Sequence, residues 1–267
     1  MLAAKRYKRI LPGANPEILP EPVRRRHRAG FRLTCGLICS EVMPTSEPGS
    51  LTPGQRAISL AEVLVGAFLV IGHNVFHIVP NEVPILFALF WASFGIRERG
   101  WKLPGLRFPR SWGKTLLWAG AALIVLLVGS EFVVQPLAHH FWPQAEHVST
   151  VIKNEGGWKN VLLSLAIGWG FAGFGEELSY RGYLLNRAAD LGDRSRLAYV
   201  LAMFYVAILF GIGHWYKGPA GVVDSTFSGL VLGTTYLLTG RNLWAPILAH
   251  GMADTVAVIF FAMGWAN

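Results

Sequence analysis

Apolar residues gather into long runs along this chain, and polar residues collect at the joints between them. Runs of about 20 residues match the length of a helix that crosses a bilayer. From Ala57 onward the pattern predicts seven runs: about 57–79, 83–96, 115–138, one from near Asn160, then 196–216, 222–239 and 243–264. The second is short and ends in a basic loop, 97–114. The third carries Glu131 near its far end and leads to a polar link, about 139–159, with His139, His140 and His147. The expected fold is all-α, a polytopic membrane helical bundle of about seven transmembrane helices.

Residues 1–55 show no such period. Prolines at 12, 16, 20, 22, 44, 48 and 53 interrupt any long helix there. No continuous apolar stretch follows the early charges, so the segment does not read as a signal peptide. It is expected to be a disordered basic tail with a short helix near 29–40, ahead of a transmembrane domain at 56–267.

Composition supports the membrane reading: 52% of residues are hydrophobic and 15% charged. The ten tryptophans suit helices that end at the bilayer interface. The net charge of +8 would suggest nucleic acid, but residues 1–32 hold nine Lys/Arg against two Glu. A tail attracted to anionic lipid explains that better, and no nucleic-acid partner is expected. With the N-terminus in the cytoplasm, 21 of the 24 Lys/Arg fall on the inner side. Cys35 and Cys39 are the only cysteines and have no second pair with which to form a zinc site.

The candidate chemistry centres on Gly175-Glu176-Glu177-Leu178-Ser179-Tyr180-Arg181-Gly182, inside the fourth run. Ionisable groups at that depth are costly and tend to be functional. Glu177 and Arg181 are four apart and can pair on one helix face. Glu176 points about 100° away and is left unpaired, available as a general base. Phe210-Gly211-Ile212-Gly213-His214 closes the fifth run, and His250-Gly251-Met252-Ala253-Asp254 lies in the seventh. Polar side chains in apolar helices seek one another, so these six are expected to converge. Glu176 would deprotonate water, His214 would position it, and His250 with Asp254 would stabilise an oxyanion. The same residues allow a zinc site, with His214, His250 and Glu176 as ligands. No His-Glu-x-x-His motif is present.

The ordered motifs Glu-Glu-x-x-x-Arg, Phe-x-x-x-His and His-x-x-x-Asp resemble the CAAX protease and bacteriocin-processing (CPBP, Abi) intramembrane endopeptidases, which include the prenyl-protein CAAX proteases. The resemblance covers about 158–264. It implies that Glu176 activates water, that His214 and His250 assist, and that Glu177 and Arg181 are the supporting pair. It favours a glutamate mechanism without a cofactor over a zinc one. Asp254 stands where many members have asparagine. An ionised aspartate cannot donate to an oxyanion, so Asp254 must be protonated, orient His250 or bind something else.

The implied substrate is a membrane-embedded or lipid-anchored protein or peptide, cut near its C-terminus. Composition leans toward a bacterial plasma membrane, where a bacteriocin precursor or sorting-signal tail is a more natural substrate than a prenylated protein. A non-catalytic scaffold or immunity protein, or a small transporter, are the competing readings. The polar residues cluster on a few helices instead of tracing a path, which favours a site.

Straight helices raise a conflict of depth. At 1.5 Å per residue, His250 is roughly 10 Å from the inner end of its run, Glu176 roughly 16 Å and His214 roughly 27 Å. Either the fifth run starts later or tilts, or the glycine-rich fourth run is broken.

Overall fold

The computed structural model describes residues 51–98, 104–143 and 157–264. Residues 1–50 of the expected disordered tail, the cysteines and His147 lie outside them, and the last residues of that tail open the first helix. The described residues contain helices and turns and no strand. Seven helices occur: α1 (Pro53–Asn74), α2 (Glu82–Ser93), α3 (Trp112–Phe141), α4 (Trp158–Asp190), α5 (Arg196–Ile212), α6 (Gly218–Leu238) and α7 (Trp244–Ala262). Each predicted run contains one. Among the described residues, α1, α3, α4 and α7 are long and apolar enough to cross a membrane. α5 and α6 pass only as a bent pair.

Several boundaries differ from expectation, for local reasons. α1 starts four residues early because Pro53 opens the helix instead of breaking it. Proline suits a first turn, where its missing N–H is not needed. Thr52 and Gln55 close a reciprocal capping box there. α3 runs on through a π-type stretch, Ser130–Val134, so His139 and His140 end a helix and do not begin a loop.

α5 and α6 form a hairpin whose close approach depends on glycine. A Cβ on Gly229 would lie 2.9 Å from the Ala207 Cα, and one on Gly233 2.7 Å from Met203 Cγ. The small-xxx-small spacing in α6 is therefore a packing face. Gly229→Ala is expected to cost about 1–3 kcal/mol through overpacking against backbone. Gly120→Ala, at a position with open space, is the control. Thermal unfolding in detergent should show a lower midpoint for the first only.

α4 is the axis of the bundle. Leu178, Tyr180, Tyr183, Leu184 and Leu185 are all buried, and α1, α2, α5, α6 and α7 pack residues into the same core. Its polar residues Glu177, Ser179, Arg181, Asn186, Arg187 and Asp190 are also fully buried. At one end of the bundle a charge network ties α1, α2 and α4 together. Arg187 and Arg194 bond to Asp190 at 3.0 and 2.5 Å, Arg97 pairs with Glu62, and Ser59 donates to Asp190 at 2.7 Å. The turns between α1 and α2 and between α5 and α6 lie at the other end.

Candidate active site

α4 is continuous, which removes a broken fourth run from the alternatives, but most of residues 168–184 is wound with i→i+5 geometry. Such winding frees carbonyls that an α-helix would occupy, and it is common at functional sites. Here side chains satisfy several of them. Ser179 Oγ donates to the Gly175 carbonyl at 2.8 Å. Asn186 Nδ2 donates to the carbonyls of Arg181 and Gly182, at 3.1 and 2.9 Å. Gly173 lets α7 approach closely: a Cβ there would sit 3.2 Å from the Gly251 Cα.

The depth of His250 is set by a feature the sequence did not suggest. The turn before α7 is sunk into the bundle, not held at its surface. Leu243 is fully buried, and its N–H donates to the Gly105 carbonyl at 3.2 Å. Gly105 has φ +93°, and a Cβ there would strike the Arg241 carbonyl at 2.3 Å, so only glycine permits this contact. Leu243 thus lies level with Gly182, whose Cβ would be 3.3 Å from it. Seven residues on, roughly 10 Å by helical rise, His250 meets Glu177.

The buried Glu177 carboxylate is shared. Its Oε1 accepts from Arg181 Nη1 at 2.7 Å and from His250 Nδ1 at 2.8 Å. Arg181 Nη2 donates to the Gly229 carbonyl at 3.2 Å, and the guanidinium lies over the Phe210 ring at 4.5 Å. Phe210 is the hub that unites the motifs. Its ring is 5.1 Å from Tyr180, 4.7 Å from His214 and 6.0 Å from His250. His214 follows the last turn of α5, and its Nδ1–H donates to the Phe210 carbonyl at 2.8 Å. Its Nε2 therefore carries a lone pair.

Glu176 differs from its neighbour. It makes no hydrogen bond among the described residues; the Oε2 atoms of both carboxylates are buried without a partner, but Glu177 Oε1 accepts two hydrogen bonds. His250, Asp254, Glu177, Arg181 and Lys217 lie within the electrostatic reach of Glu176. Asp254 Oδ2 is 3.9 Å from His250 Nε2, a charge contact too long for a hydrogen bond. All six predicted residues thus gather around one point.

No three His, Cys, Asp or Glu among the described residues are grouped as metal ligands. In the alternative zinc set, both histidines already spend Nδ1 on protein oxygens.

Sequence reasoning missed part of the surroundings. Glu82, buried at the start of α2, accepts from Asn74 at 2.9 Å and from the Tyr180 hydroxyl at 3.4 Å, and lies 3.6 Å from His73. The one available signal was His73 and Asn74, both unusual in an apolar helix. Lys217 lies in the turn after His214 and belongs to no motif.

The comparisons with known proteins agree with this assembly. Residues 158–256 match the family model described as type II CAAX prenyl endopeptidase Rce1-like. No curated protein and no solved structure matches the chain. The matched segment runs from α4 to α7 and contains all six candidate residues, and over it the chain is similar to the Rce1-like type II CAAX prenyl endopeptidases.

Proposed function

We propose that this protein is an intramembrane endopeptidase that cuts a membrane-associated protein or peptide near its C-terminus, with Glu176 as general base. The observation that carries this reading is the division of labour between adjacent carboxylates. Glu177 accepts from both Arg181 and His250 through Oε1, whereas Glu176 accepts no hydrogen bond among the described residues, although each carboxylate keeps a buried Oε2 without a partner. An unpaired buried carboxylate is expensive to keep, so its retention argues for a use.

In the proposed mechanism Glu176 takes a proton from water as the water oxygen attacks the scissile carbonyl carbon. His214 Nε2 accepts the second water hydrogen and fixes the attack direction. His250 is held by Glu177 through Nδ1, so its Nε2, when protonated, is the donor to the developing oxyanion. Asp254 orients His250 by charge, which suits an aspartate better than direct donation. Collapse of the tetrahedral intermediate breaks the C–N bond, and the proton on Glu176 passes to the departing amine.

The seven helices are proposed as seven crossings of a bacterial plasma membrane, with the arginine-rich end in the cytoplasm. The test is cleavage by the purified protein in detergent, using C-terminal peptides with and without a prenyl group, in the presence and absence of a strong chelator. Cleavage that survives the chelator is expected. Loss of cleavage restored by zinc would move the mechanism to a metalloprotease. Binding without cleavage of any peptide would favour the scaffold reading.

A further inference from the structure

Resting on the protease reading, we propose that Lys217 receives the C-terminal carboxylate of the substrate. Lys217 ends the short turn Trp215–Lys217 that follows His214 and caps α6. The Tyr216 ring lies 5.9 Å from the His214 ring, and the Lys217 ammonium sits 5.8 Å from the Tyr216 centroid. The lysine is half-buried and makes no ion pair or hydrogen bond through Nζ among the described residues. Arg181, the other cation near the site, is already bonded to Glu177 and to the Gly229 carbonyl. A partly buried ammonium with no carboxylate in ion-pair contact among the described residues keeps its hydrogen-bonding capacity open to an anion.

The surroundings say which anion, and where. The charges within reach of Lys217 are Asp224, Glu176 and Asp254, all carboxylates. Arg181 and His250 are both already bonded to the Glu177 carboxylate, which leaves this ammonium as the better placed cation for a substrate carboxylate. α6 begins Gly218-Pro219-Ala220-Gly221, with no side-chain cap, so the N–H groups of its first turn next to Lys217 have no side-chain partner. Gly221 leaves room for the lysine stem: a Cβ there would lie 2.1 Å from Lys217 Cβ. A peptide whose carbonyl sits between Glu176 and His214 therefore finds its anion site one turn beyond the histidine. A chain that continued past this point would leave its carboxylate elsewhere and forgo the contact.

The test is a binding comparison on full-length protein in detergent, with cleavage read in parallel. The probes are a fluorescent farnesyl-cysteine tetrapeptide with a free C-terminal carboxylate and the same peptide with a C-terminal amide. Wild type is expected to bind the acid roughly tenfold more tightly than the amide, the scale of a charge-assisted hydrogen bond. Lys217→Met should bring that ratio to about one, and Lys217→Arg should keep it. An unchanged ratio in Lys217→Met overturns the proposal, as does equal binding, or no binding, of the two peptides by wild type. Because binding is read directly, a preference for the acid without cleavage would count against the protease reading alone.

Discussion

Glu176→Gln removes cleavage without weakening the fold. Glutamine keeps the size of the side chain but cannot take a proton from water. Loss of a general base lowers the rate by about 10²- to 10⁴-fold. The effect should fall on kcat, with KM near wild type, because no contact that binds peptide is deleted. Stability should hold or rise. Oε2 of Glu176 is buried without a partner among the described residues, and a neutral amide is less costly there than a carboxylate. Single-turnover cleavage and the melting midpoint in detergent, measured on the same preparation, check both halves. Cleavage retained within tenfold of wild type would remove Glu176 from the mechanism. A midpoint that falls sharply would instead make it a structural residue.

The two carboxylates look alike in sequence, and what separated them was helical spacing. A four-residue interval pairs Glu177 with Arg181 and leaves Glu176 over, and the structure shows that pair at 2.7 Å. The histidine partner of Glu177 was not legible, because it depends on where α7 starts. That start is set by Gly105 against the Arg241 carbonyl and by the buried Leu243. Nothing in the hydropathy of 240–246 distinguishes a sunken turn from one at the membrane surface. Counting depth from the end of a run therefore misplaced His250. The π-type winding of α4 was invisible for a related reason: the glycines that permit it also suit an ordinary helix packing closely. Phe210 was quoted as part of a motif, yet its role in joining Tyr180, His214 and His250 needed the fold. Glu82 was hidden by its position just after Pro80 and Asn81, where an acidic residue reads as a loop or a first helical turn.

Asp254 and Lys217 belong together. Asp254 replaces a residue type that could donate to an oxyanion, and it adds negative charge beside Glu176. Lys217 restores positive charge within reach of both. Without it the site would hold Glu176, Glu177 and Asp254 against Arg181 and a histidine, and an anionic peptide end would be driven off. The substrate preference proposed for Lys217 is thus also an account of how the site tolerates an aspartate at 254.

Glu177→Ala is expected to cost both stability and activity, for separable reasons. Arg181 is fully buried and would lose its carboxylate, keeping only the Gly229 carbonyl at 3.2 Å and the Phe210 face. Removing one partner of a buried ion pair costs about 3–5 kcal/mol. For a domain of this size that lowers the melting midpoint by roughly 10 °C. At the same time His250 Nδ1 loses the acceptor that fixes its ring and its tautomer. The double variant Glu177→Ala/Arg181→Met separates the two effects. Replacing a whole buried pair with apolar side chains is often neutral, so the midpoint should recover most of its loss. Cleavage should not recover, because His250 remains unanchored. If the single variant melts within about 2 °C of wild type, by the same scaling the pair contributes little to the fold. If the double variant regains both midpoint and cleavage, Glu177 serves only to neutralise Arg181, and the orientation of His250 has another source.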